Sequence, residues 1–296
     1  MKHPYYEAFG SSIRMFGTKP LWEADRLEAL LGIMETFTAF APQFWSRDER
    51  TKKPYVREEI LGDREPSAIK KHLSFYVKRQ KTAKYFATFN PGVCPHFQIE
   101  VEMGLPSKHW SAFYELADQL AQIFEPDVSN TTISVARSYA DPTEENKRWS
   151  LMMSSPGLYP VDYKHTGLKG LALRTHLGPH YIDQIGRDVL RATPGVSIEE
   201  QAWGGMRIDL APEPWMLLPD EMLARWEAAM NHLRPTGVFA SYEIFDMKTL
   251  RYKFTKGPNC TVGNRVPWDQ IPEAIKQDIG YHNAHLYPGG GEKPKV

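Results

Sequence analysis

Apolar and polar residues alternate through Phe97, Ile99, Val101 and Met103, a period of two that predicts a strand with one buried face. Leu105-Pro106-Ser107 follows. Phe113, Leu116, Ala117, Leu120 and Phe124 then recur on one helical face up to Pro126, with Ser107 as the candidate N-cap. The same pattern returns later in the chain. Met206, Ile208 and Leu210 alternate with Arg207 and Asp209, and Leu218-Pro219-Asp220 opens a second amphipathic stretch. Its buried face is Leu223, Trp226, Met230 and Leu233, and it stops at Pro235.

Around these two units the pattern predicts further elements. Ser12 to Phe16 alternates as a strand, and a helix follows with Leu27, Leu30, Leu31, Met34, Phe37 and Ala41 on one face, closed by Pro42. Residues 48 to 84 are basic and irregular. Leu73, Phe75 and Val77 alternate there, so that Lys78 and Arg79 are expected at the wet end of a hairpin strand. Thr131 to Val135 is β-branched and predicts a strand. In the second half Leu171 to Arg174 reads as a strand, Gly178-Pro179 opens a helix with Ile182, Ile185, Val189 and Leu190 inward, and Val196 to Ile198 pairs with Met206 to Leu210 across Gly204-Gly205. Val238 to Ile244 supplies a last strand.

The second half therefore runs strand, helix, strand, strand, helix, strand, and the first half follows that order once residues 48 to 90 are taken as an elaboration. The expected fold class is α+β, with two pseudo-repeated βαββαβ-like halves whose antiparallel sheets are covered by helices. Expected boundaries are an N-terminal half over 1–139, a connecting loop over 140–167, a C-terminal half over 168–245 and an extension over 246–296.

Composition narrows the partner. The chain has 296 residues, 42% of them hydrophobic, enough for a substantial core. Its 36 basic and 36 acidic residues cancel, so no global field draws it to nucleic acid or to an anionic membrane. No window is apolar enough for a membrane span, and Cys94 and Cys260 are too few for a disulfide framework, so the expected location is the cytoplasm.

No phosphate-cradling glycine loop and no nucleophile elbow occur, and no cofactor is expected. Adjacent acid pairs such as Glu58-Glu59 and Glu199-Glu200 point apart in regular structure. Arg207 and Asp209 share the strand face opposite Met206, Ile208 and Leu210. That charged row reads either as an open binding face or as a surface ion pair. His176, His180, Asp209 and Glu213 are the scattered residues from which a metal-dependent enzyme would have to be built. A duplicated scaffold without a catalytic cluster points first to a binding protein.

The stretch from Gly170 through Arg174-Thr175-His176-Leu177-Gly178-Pro179 to Gly186, followed by Trp203-Gly204-Gly205-Met206-Arg207-Ile208-Asp209-Leu210 and Pro214-Trp215, resembles the type VI secretion immunity family, close to the immunity protein 52 group of polymorphic toxin systems. The similarity runs from about residue 20 to 245. It implies a cytoplasmic α+β protein, not an enzyme, that binds and neutralises a cognate antibacterial effector, a nuclease toxin of restriction-endonuclease-like fold. It carries over no active-site residues. Candidate partner-binding residues are Arg174, Arg207 and Asp209 on strand faces expected to be exposed, with Trp149 and Tyr159 in the connecting loop.

Overall fold

The computed structural model describes residues 7–21, 24–62, 74–91, 95–102, 104–136, 144–154, 156–157, 163, 166–246 and 251–263. Its strands are β1 (Glu7–Phe16), β2 (Phe44–Ser46), β3 (Lys53–Pro54), β4 (Phe75–Arg79), β5 (Tyr85–Asn90), β6 (His96–Val101), β7 (Val128–Ala136), β8 (Arg174–Leu177), β9 (Ser197–Glu200), β10 (Met206–Asp209), β11 (Ser241–Asp246) and β12 (Arg251–Thr255). Its helices are α1 (Ala24–Thr36), α2 (Arg57–Gly62), α3 (Trp110–Phe124), α4 (Glu144–Ser154), α5 (Pro179–Ile185), α6 (Arg187–Arg191) and α7 (Pro219–Leu233). The class is α+β.

Ten strands form one antiparallel sheet in the order β3-β2-β4-β5-β6-β1-β7-β8-β10-β9. Within it β5-β6-β1-β7 has the strand order of a βαββαβ unit, and β8-β10-β9 is the start of a second. The second unit lacks its fourth strand in the sheet, because β7 of the first unit already pairs with β8 at that position. The strand expected over 238–244 lies instead at β11 and pairs with β12 in a separate two-stranded sheet.

This order has a consequence for the helices. By the alternation of antiparallel neighbours β1 and β8 run in the same direction, yet β1 crosses over toward β2 on one side and β8 toward β9 on the other. Right-handed crossovers in opposite senses put the helices of the two units on opposite faces of one sheet. The apolar face of the sheet inverts accordingly. On the face under α1 and α3, one cross-strand row runs Val77, Ala87, Ile99, Ile13, Thr131, Arg174, Asp209 and Ser197. The next runs Phe75, Phe89, Phe97, Met15, Ser129, His176, Arg207 and Glu199. Both pass from buried hydrocarbon through hydroxyls to charge. On the opposite face a row runs from Tyr76, Thr88, Gln98 and Arg14 to Ile208 and Ile198, polar first and apolar last.

Several expectations are corrected. The first helix ends at Thr36, whose Oγ1 donates to the Ile33 carbonyl, and not at Pro42. Ser107 does not cap α3. It starts a 3-10 turn over Ser107–His109 that leads into the helix. The helix opened by Gly178-Pro179 breaks at Gly186, where φ is +95°, into α5 and α6. The first strand of the second half is shifted to Arg174–Leu177. The stretch 140–167 contains α4, whose Trp149, Leu151 and Met152 are buried. Lys78 is buried too, its ammonium donating to the carbonyls of Glu49 and Thr51 at 2.8 and 3.1 Å. Cys94 and residues 264–296 lie outside the described residues.

The glycines of the two quoted motifs have packing reasons. A Cβ on Gly178 would stand 2.6 Å from the Pro126 carbonyl oxygen, where α5 starts against the beginning of β7. Gly204 turns with φ at +90°, and the Trp203 indole covers the position a Gly205 side chain would occupy.

Candidate functional site

The charged ends of the two rows lie where α3 crosses the second unit. Asp118 lies one helical turn beyond Tyr114 and shares its buried stripe with Ala121. Its carboxylate lands on β8 and β10. Arg174 grips Asp209 with two parallel bonds, Nε to Oδ1 at 2.6 Å and Nη2 to Oδ2 at 3.2 Å. Arg174 Nη1 donates to Asp118 Oδ2 at 2.7 Å and to the Tyr114 carbonyl at 3.1 Å, and the guanidinium stacks 4.7 Å from the Tyr114 ring centroid. Arg207 repeats the pattern further out. Its Nε donates to Asp209 at 3.0 Å, Nη1 to Asp118 at 2.9 Å and Nη2 to Glu199 at 2.7 Å. His176 Nε2 donates to the second Asp118 oxygen at 3.2 Å.

Exposure is graded across this network: side chains of Asp209 and Arg174 are 3% and 7% exposed, Arg207 22% and Glu199 59%. Burial opposes the charge on Asp118, but the bond from His176 and the guanidinium of Arg174 hold its carboxyl below the ordinary value. Burial likewise disfavours the Arg174 charge, and Asp209 more than restores it. The arrangement is a closed clamp: the oxygens of Asp209 are taken by two guanidiniums, which leaves that carboxylate committed to cations the chain itself supplies.

Beside the clamp the chain exposes apolar surface. Trp215 packs edge-on against Tyr114 and Trp110, with ring centroids 5.0 and 5.9 Å apart. The next residues turn outward: Met216 is 64% exposed and Leu218 52%. They project from a base fixed by Trp215, Tyr114 and Arg174.

Of the predicted site residues, Arg174, Arg207 and Asp209 are brought together, with Arg207 alone of the three reaching solvent. Their face would be open in an isolated second unit, and it is α3 of the first unit that closes it. Trp149 is fully buried in α4, whose neighbour Arg148 pairs with Glu227 of α7. Tyr159 lies outside the described residues. Asp118 and Met216 escaped the sequence reading, which placed Glu199 only in an adjacent acid pair and Leu218 only at the start of a helix. The legible signal was an aspartate on the buried stripe of an apolar helix. The four scattered residues of the metal reading do not converge. His176 and Asp209 belong to the clamp, while His180 on α5 bonds the Thr261 carbonyl at 2.9 Å. Among the described residues no group of three or more His, Cys, Asp or Glu is placed to hold a metal ion.

A second buried cluster lies on the opposite face. Tyr163 stacks on Phe16 at 4.8 Å, and its hydroxyl meets that of Tyr181 at 2.6 Å. Beside them Asp127 is pushed up to about 6 by burial, with the charge of His180 pulling the other way. Burial also raises the Cys260 thiol. No helix among the described residues is long and apolar enough to cross a membrane.

No protein-family model matches the chain, and no curated protein sequence matches it. Among solved structures it is similar to a T6SS protein of Pseudomonas aeruginosa, with 14% sequence identity and a TM-score of 0.44, over 88% of this chain and 94% of that one.

Proposed function

We propose that this protein is a cytoplasmic immunity protein that binds a cognate antibacterial type VI secretion effector, a nuclease toxin, and neutralises it by covering its active site or blocking its assembly. It acts by binding and not by catalysis. The observation that carries the reading is the exposed Met216–Leu218 pair on its stiff aromatic and ionic base. Large apolar side chains whose neighbour Trp215 is anchored on Tyr114 and Trp110 have the make-up of a protein-binding hot spot. Burying each of the two side chains is worth about 2 kcal/mol, of which fixing its rotamers takes back about 0.5–1.5 kcal/mol, while the neighbouring Trp215 is already packed on Tyr114. The motifs Gly178-Pro179 and Trp203-Gly204-Gly205 that carry the family resemblance serve this reading as scaffold.

Co-expression with a nuclease effector of the type VI secretion system from the same genome tests the proposal. Cells carrying the wild-type chain are expected to survive, and cells carrying the double variant Met216→Asp, Leu218→Asp to lose most of that protection. Equal killing with and without the wild-type chain would sink it.

A further inference from the structure

The last described segment, residues 256–263 after β12, is neither helix nor strand and lies as a strap over α5 and the start of β7. Its first part is fastened to the turn after α7. Asn259 N–H donates to the Gly237 carbonyl at 2.9 Å and Asn259 Nδ2 to the Thr236 carbonyl at 2.8 Å. A Cβ on Gly257 would stand 2.4 Å from the Gly237 carbonyl oxygen, so the contact is tight. The end of the strap rests on two side chains of α5. Gln184 Oε1 accepts from Thr261 N–H at 2.8 Å, and the Thr261 carbonyl accepts from His180 Nε2 at 2.9 Å and from Gln184 Nε2 at 3.0 Å. Among the described residues no backbone–backbone hydrogen bond holds residues 261–263.

That loosely held end closes the cluster around Asp127. A Cβ on Gly263 would stand 2.6 Å from Asp127 Oδ2 and 2.6 Å from the His180 ring, so the strap lies directly on the carboxyl. The groups that face Asp127 are His180 and Tyr181 from α5, Tyr163, and Cys260 from the strap itself. Tyr163 donates to the carboxyl, but Oδ2 has no hydrogen-bond partner. Ionisation therefore places charge on an oxygen that no donor meets in a site closed to water, which is unfavourable. Of the walls around it, β7 lies inside the ten-stranded sheet and Tyr163 and Tyr181 are fully buried. Thr261 is exposed and Gly263 only half-buried. The wall that yields first is the strap.

We propose that residues 261–263 are a proton-controlled latch, closed over Asp127 while its carboxyl carries a proton and released when the carboxyl ionises. The closed state binds that proton more tightly than the open one, in which water reaches the carboxyl. With Asp127 pushed up to about 6 when covered and near its ordinary value of about 3.9 when hydrated, closure is strongest below about pH 4 and weakens as the pH rises through 6. The latch is independent of the toxin-binding reading.

Hydrogen exchange followed by mass spectrometry on the full chain tests it, at pH 5 and pH 8, with each rate divided by the intrinsic chemical rate at that pH. The peptide spanning Asn259 to Gly263 is expected to lose about tenfold in protection between the two pH values. At both it should exchange at least about tenfold faster than β7, as a local opening does. Asp127→Asn removes the ionisation, and strap protection is expected to be the same at pH 5 and pH 8. If thermal melting shows that variant unfolded, Asp127→Ser carries the comparison. Equal wild-type protection at the two pH values, a pH dependence that survives in the neutral variant, or a strap that exchanges together with β7 would overturn the latch. Failure of the co-expression assay bears on immunity alone and leaves these measurements untouched.

Discussion

Asp127 shows how much one buried group can impose on the whole chain. Its carboxyl is pushed up to about 6 by burial, against the opposing charge of His180, and its Oδ2 has no hydrogen-bond partner among the described residues. The native value lies above the unfolded value of about 3.9, so the folded state binds the proton more tightly. The stability this group contributes is therefore complete below about pH 4 and is lost as the pH rises through about 6. Asp127→Asn keeps the shape and removes the charge. Urea unfolding is expected to find the variant more stable than wild type above pH 6, by up to about 3 kcal/mol, with the difference closing toward about pH 4. A constant difference across that range would refute this account. Nothing in the run Glu125-Pro126-Asp127-Val128 marks the aspartate as buried, since its environment comes from Tyr163, Tyr181 and His180, far along the chain.

The docking of α3 onto β8 and β10 turns on the same contrast between buried and exposed charge. Removing Arg174 strands Asp209, which is 3% exposed, and part of Asp118, while removing Glu199 takes away a solvated partner at the rim. Arg174→Ala is expected to lower the unfolding free energy by about 3–5 kcal/mol and Glu199→Ala by about 1 kcal/mol or less. Equal effects in chemical denaturation would show that the clamp is not what holds the helix down. The buried face of α3 was legible: Phe113, Leu116, Ala117, Leu120 and Phe124 all lie in the core. Arg207 and Asp209 were also legible as neighbours on one strand face. Their exposure was not, because an alternating strand pattern identifies the face that leaves its own unit's core and says nothing of a helix from another unit.

One continuous sheet joins the two units through β7 and β8, and α3 of the first unit clamps strands of the second. Unfolding is therefore expected to be a single cooperative transition, with tryptophan fluorescence and far-ultraviolet circular dichroism coinciding along a urea titration. Two separated transitions would mean that the units are energetically independent. The α+β class, the internal repetition of strand and helix and the main helical faces were all readable from the order of residues, because they depend on periodicities of two and 3.6 that act over a few neighbours. Three features came only from the folded chain: the sharing of one sheet, the displacement of β11 from it, and the closing of the Arg174–Asp209 face. Each depends on which strand reaches an edge first and on the handedness of crossovers between segments far apart in sequence, and no local pattern encodes that competition.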